Sequence, residues 1–314
     1  MQKNNGLDKN QLISFVIFSA ILMAFMFYFQ NKQSDEKQVA DAKAKTEQKV
    51  ASKTIANNTN ATVNAAAIKN VTVKNKELTL EFASLGGQLS SVEINQYKAY
   101  NAKTDKHDLP LYLIEKNNSS YGFQFKDKTG KTFNTKDLVF VPSVKDNTVT
   151  MTAQVSGATI QYVYQLLDNY TLDFNVKTQG LSSIVTDEKA DFHWNYTVRG
   201  MEKGRSQEQT HSEFNYAFDN YGSTDYDTNG FEEPEETLNW LAVKQQFFAS
   251  IIESTNGFTH AKGTQETIEK GEFLKKFNFE GQVKLAGNEL NQNFKWYFLP
   301  LDLPLLKKFE GKEF

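Results

Sequence analysis

The chain has 314 residues, 35 basic and 38 acidic, with a formal net charge of −3. This balance argues against the strong basic excess of a nucleic-acid binder, so no nucleic-acid partner is expected. The absence of cysteine excludes disulfides, thiolate metal sites and cysteine nucleophiles, and the length suits one large domain or two ordinary ones.

After a polar tail at residues 1–11, residues 12–29 read LISFVIFSAILMAFMFYF and carry no charge. As a helix they would reach roughly 27 Å, close to the hydrocarbon thickness of a bilayer. The run ends in bulky residues, Phe25 to Gln30, where a cleavable signal needs small ones. It therefore reads as a retained transmembrane signal anchor in contact with lipid. Lysines lie on both sides of it (Lys3 and Lys9; Lys32, Lys37, Lys43 and Lys45), so the positive-inside count does not fix its orientation.

Residues 30–70 form a linker rich in Ala, Lys, Asn and Thr, with no aromatic residue after position 30. Such a segment cannot bury enough apolar surface to offset chain ordering, and a disordered tether is expected. Residues 71–314 hold 26 basic and 33 acidic side chains and are mildly acidic.

From Val71 onward the dominant period is two. It places Leu78, Leu80 and Phe82 on one face of a strand, then Val149, Met151, Ala153 and Val155, then Ile160, Tyr162, Tyr164 and Leu166. Leu172, Phe174 and Val176 follow, then Phe192, Trp194 and Tyr196 opposite His193 and Asn195. Such alternation predicts half-buried strands, about a dozen to sixteen in one large sandwich. The stretch WLAVKQQFFASII (residues 240–252) is apolar on both faces, as a strand covered on both sides requires. Lys244, Gln245 and Gln246 interrupt it and predict the corner between two strands.

Two patterns could carry chemistry. In DYDTNGFEEPEE, Asp225, Asp227, Asn229, Gly230 and Glu236 fit the spacing of a calcium loop. No helix signal precedes it, and Pro234 falls inside it, so a solvated acidic loop is the competing and preferred reading. The four histidines are His107, His193, His211 and His260. His193 alternates with core aromatics on a strand, where a lone histidine is more often structural.

Three stretches, SLGGQLSSVEINQY (residues 84–97), NWLAVKQQFFASII (residues 239–252) and FKWYFLPLDLPLLKKFE (residues 294–310), together resemble the membrane protein insertases of the YidC/Oxa/Alb family in their Gram-negative form. The middle stretch is the most specific. The resemblance implies a bacterial inner-membrane protein with a large periplasmic domain over residues 71–298. That domain would be mainly β, an antiparallel β-supersandwich of galactose-mutarotase-like fold. Residues 299–314 would lead to further spans that form the insertase groove. No second apolar run of eighteen residues follows, so the chain is expected to be the N-terminal portion of an insertase and chaperone, without the insertase core.

The resemblance also implies as partners nascent membrane proteins, and the Sec translocon with its accessory proteins. No catalytic residue, cofactor or metal is expected. The alternative is an anchored mutarotase-like carbohydrate-binding or epimerase domain. A lipoprotein-like scaffold is disfavoured because a lipidated cysteine is lacking.

Overall fold

A computed structural model describes residues 69–218, 223–227 (backbone only), 230–233 and 235–306. The expected span at 12–29 and nearly all of the tether lie outside the described residues. Among the described residues no helix is long and apolar enough to cross a membrane.

The first four strands, β1 (Val71–Lys74), β2 (Leu78–Ala83), β3 (Gln88–Asn101) and β4 (Lys106–Ile114), pair in chain order as a four-stranded sheet. Next come β5 (Ser119–Lys126), β6 (Thr132–Asn134), β7 (Val141–Lys145), β8 (Thr148–Val155), β9 (Ala158–Leu166), β10 (Thr171–Gln179) and β11 (Lys189–Arg199). A short helix α1 (Arg205–Thr210) leads to β12 (Glu213–Phe218), β13 (Ser223–Asp227), β14 (Gly230–Glu233) and β15 (Leu238–Lys244). The chain then runs through β16 (Phe248–Thr267), β17 (Phe273–Lys284), β18 (Asn291–Pro300) and the helical turn α2 (Leu303–Leu306).

Strands β5 to β18 form one fourteen-stranded sheet with the path β6-β5-β11-β17-β16-β18-β10-β9-β8-β7, and β12 to β15 attach beside β16. Every pairing between these strands is antiparallel. The chain is thus mainly β, a bent antiparallel sheet covered by a smaller one, as the resemblance implies. Eighteen strands are described, more than the period-two reading expects. The extra ones include short strands such as β6, which at three residues gives too few alternations to read.

The bend sits in β16. Its first part, Phe248 to Ser254, pairs with β18, and Thr259 to Thr267 pairs with β17. Between them Gly257 adopts φ +70°, and a Cβ there would lie 2.1 Å from Thr237. A register shift follows between Thr259 and Lys262. A glycine in the left-handed region followed by a bulge lets one strand serve both halves of the sheet.

The alternation read from sequence is the alternation of burial, except that Val155 at the end of β8 is only partly buried. Leu78, Leu80, Phe82, Val149, Met151, Ile160, Tyr162, Tyr164, Leu172, Phe174, Val176, Phe192, Trp194 and Tyr196 are all buried. Their rings interlock across strands: Tyr164 stacks on Phe174 with centroids 4.6 Å apart, and Trp194 meets Trp296 edge-on at 4.9 Å. Such pairs add about 0.5–1.5 kcal/mol each beyond the area they bury. The small sheet joins the same core through Phe82 against Tyr164 at 4.7 Å and Tyr97 against Phe248 at 5.3 Å.

Candidate functional site

The first of the three stretches forms the turn from β2 to β3. Gly86 and Gly87 adopt φ +75° and +61°, which glycine reaches without penalty. A Cβ on Gly87 would lie 2.7 Å from the Phe140 ring. The Gly87 carbonyl accepts from the buried Tyr164 hydroxyl at 2.9 Å, and that hydroxyl lies 2.9 Å from the hydroxyl of Tyr121. Tyr121 Oη in turn accepts from the backbone N–H of Leu89 at 3.1 Å. Burial pushes the Tyr121, Tyr162 and Tyr164 hydroxyls well above the ordinary phenol range, so all three stay neutral and able to donate.

The second stretch makes the corner that its polar interruption predicts. Strand β15 ends at Lys244 and β16 begins at Phe248. Lys244 Nζ donates to Glu213 Oε1 at 2.7 Å across the β12–β15 ladder. Gln245, only 2% exposed, donates its backbone N–H to the Phe248 carbonyl at 2.8 Å and its side-chain amide to the Arg199 carbonyl at 2.9 Å. Phe247 departs from the expectation of a stretch covered on both faces. It sits on the turn and is 49% exposed, while Phe248, Ala249, Ser250, Ile251 and Ile252 are buried, as a strand covered on both faces requires.

A polar cluster surrounds this corner. The Arg199 guanidinium pairs with Glu115 and, at 3.0 Å, with Glu272. Arg205 of α1 donates to the carbonyls of Gly271, Phe273 and Ile268 at the β16–β17 hairpin end. Lys275 is buried, and its Nζ donates to the Ser212 carbonyl at 2.7 Å. Burial pulls its pKa down against the opposing charge of Glu213. Glu208, 2% exposed, accepts from the N–H groups of Met201 at 2.8 and 2.9 Å and of Glu202 at 3.0 Å. No sequence signal marks Glu208, because a carboxylate in a polar helical turn reads as solvated until the neighbouring loop folds over it.

The acidic stretch is placed only in part. Asp225 and Asp227 lie on β13, in register with Tyr216 and Phe214 of β12. Gly230 begins β14, opposite Thr264. Glu236 lies in the turn before β15 and is exposed, and Asn229 lies outside the described residues. Asp225 and Asp227 therefore lie on an extended strand, whereas calcium loops of the matched spacing sit between two helices.

The four histidines lie on four different elements, and β17 separates His193 on β11 from the β16 bulge that holds His260. His107 on β4 pairs with Glu202 at 2.7 Å. His193 on β11 lies 3.6 Å from Glu280. His211 caps α1 with Nδ1 2.8 Å from the Gln207 carbonyl. His260 lies in the β16 bulge with φ +50°. Among the described residues no group of three or more His, Asp or Glu side chains could hold a metal ion.

Residues 70–312 match the family model described as the YidC periplasmic domain. The chain belongs to the YidC periplasmic domain family. Among curated relatives, "Membrane protein insertase YidC" of Parabacteroides distasonis is 28% identical over 76% of this chain and 38% of the relative. The protein of the same name from Azobacteroides pseudotrichonymphae is 25% identical over 97% of this chain and 52% of the relative. The chain thus spans about half the length, or less, of these relatives. Among solved structures, the periplasmic domain of Thermotoga maritima YidC aligns over 78% of this chain and 89% of its own, at 12% identity and TM-score 0.37. A galactose mutarotase-like protein from Lactobacillus casei aligns over 74% of this chain and all of its own, at 11% identity and TM-score 0.46. Neither alignment is close enough to carry an argument about activity.

Burial raises the pKa of Glu208, partly offset by hydrogen bonds from Met201 and Glu202. A carboxyl whose folded pKa lies above its unfolded value contributes stability below the unfolded pKa and loses it as pH rises through the folded one. Glu208→Gln cannot ionise. The stability difference between the variant and the wild type should therefore shift in favour of the variant as pH rises from the low fours, as read by urea unfolding at several pH values. A pH-independent difference would contradict the burial argument.

Proposed function

We propose that this chain is the anchored periplasmic part of a membrane protein insertase and works by contact and positioning. On this reading residues 1–11 are cytoplasmic, 12–29 span the inner membrane and 30–70 are the tether. The β domain, residues 71–298 in the sequence reading, then stands in the periplasm and 299–314 lead onward to the membrane. The observation that carries it is the family match over residues 70–312, downstream of an eighteen-residue run without charge. The partners on this reading are nascent membrane proteins, with the Sec translocon and its accessory proteins as the finer proposal. Insertion itself would belong to spans in which polar groups line a groove, where they are costly in lipid and therefore functional.

The test is topological. In a Gram-negative cell the full chain should stay with membranes through alkaline carbonate washing. Protease should degrade the β domain in spheroplasts and spare it in intact cells. The double variant I17R/M23R places two charges in the span, at roughly 3 kcal/mol apiece, and should release the chain from the membrane fraction. Full extraction of the unaltered chain by carbonate would refute the anchor.

For the stretch from Asp225 to Glu236 we propose a solvated acidic surface and no calcium site, with the strand placement of Asp225 and Asp227 in support. Calorimetric titration of the full chain with millimolar calcium is expected to release no binding heat, and a saturable heat lost in Asp225→Asn would overturn this.

A further inference from the structure

We propose that Asn256 is a site of spontaneous deamidation, a reaction with water that the bend of β16 makes possible and that reshapes the bend once it has occurred.

The strand changes partners over a few residues. Ser254 is the last residue of β16 in register with β18, and Thr259 is the first in register with β17. On its other edge β15 pairs with Glu253 and next with Phe258. Thr255, Asn256 and Gly257 therefore have no partner in the ladders of β16 among the described residues. Asn256 is exposed and Gly257 is buried.

The bend requires glycine after Asn256. With φ at +70°, a Cβ on Gly257 would lie 2.1 Å from the Thr237 side chain and 3.1 Å from the Leu238 carbonyl oxygen. The same missing side chain leaves the Gly257 backbone nitrogen open to approach by the Asn256 side chain. That nitrogen attacks Asn256 Cγ, a new N–Cγ bond forms, and the Cγ–Nδ2 bond breaks. The displaced N–H proton leaves with the amide nitrogen as ammonia. Water then opens the resulting succinimide. Opening at Cγ gives aspartate, and opening at the main-chain carbonyl gives isoaspartate, whose main chain runs through the side-chain carbons.

Either product disturbs the brace of the bend. Asn256 Nδ2 donates to Gln292 Oε1 at 2.8 Å, Gln292 Nε2 donates to Ser254 Oγ at 2.8 Å, and Ser254 Oγ donates to the Gly257 carbonyl at 3.2 Å. Gln292 and Ser254 are buried. A carboxylate at position 256 has no proton to donate and sets its charge against Gln292 Oε1. Isoaspartate also lengthens the main chain beside the close approach of Gly257 to Thr237.

The full chain, purified in detergent micelles, would be incubated at mildly alkaline pH, either folded or unfolded in urea. The sequence holds two further Asn-Gly pairs, Asn5–Gly6 and Asn229–Gly230, so products are assigned peptide by peptide by mass spectrometry. Isoaspartate is scored with an isoaspartyl methyltransferase. Conversion at Asn256 in the folded chain should run within about tenfold of its rate in the unfolded chain, because no ladder has to open first. Slower conversion than this in the folded chain overturns the proposal. The urea midpoint of the folded wild type should fall as Asn256 converts. Asn256→Gln keeps the amide donor and cyclises far more slowly, so the variant incubated alongside should keep its midpoint. An equal fall in both overturns the claim that the reaction reshapes the bend.

Discussion

Aromatic side chains fill the core of the large sheet and meet the small one through Phe82 and Tyr97, and the tyrosines among them bring hydroxyls that cannot be left unpaired out of water. Three of these hydroxyls are used to join elements far apart in the chain. Tyr164 reaches Gly87 and Tyr121, Tyr162 donates to Thr135 at 2.7 Å, and Tyr196 donates to the Leu113 carbonyl at 2.8 Å. The small sheet is therefore held to the large one by ring packing and also by directed bonds, which fix where each turn sits. The two-glycine turn is the tightest of these points, since only a residue without a side chain leaves room for Phe140 beneath it.

That constraint passes outward. The fixed sheet positions Arg199 and Lys275, whose neighbours Glu115, Glu272, Glu213 and Gln245 converge on the corner between β15 and β16. Carbonyls and amides at the hairpin ends are satisfied by Arg205, Gln209 and Glu208. The polar groups of this region are spent on holding loops in place, and the result is a rigid body with well-defined turns.

The fold was legible wherever a strand has one buried and one open face. Phe192, Trp194 and Tyr196 alternate with His193 and Asn195 in sequence and in burial. The corner at Lys244–Gln246 was legible because three polar residues interrupt an apolar run. The long strand β16 is legible over its first residues, Phe248 to Ile252, and not beyond, because its burial pattern changes where it passes from one half of the sheet to the other. Glu208 and Phe247 show the same limit from opposite sides. A charged residue is buried because the loop at Met201 and Glu202 folds over it, and an aromatic one is exposed because it sits on the turn between β15 and β16.

The most direct measurement of the central constraint compares unfolding midpoints of Gly87→Ala and Gly130→Ala. Both glycines have positive φ, but a Cβ on Gly130 meets nothing within 4 Å, whereas one on Gly87 meets the Phe140 ring at 2.7 Å. If the packed turn governs the sheet contact, Gly130→Ala loses about 1 kcal/mol from backbone strain alone. Gly87→Ala then loses about 3 kcal/mol as overpacking adds to it. Equal losses at the two positions would contradict the account.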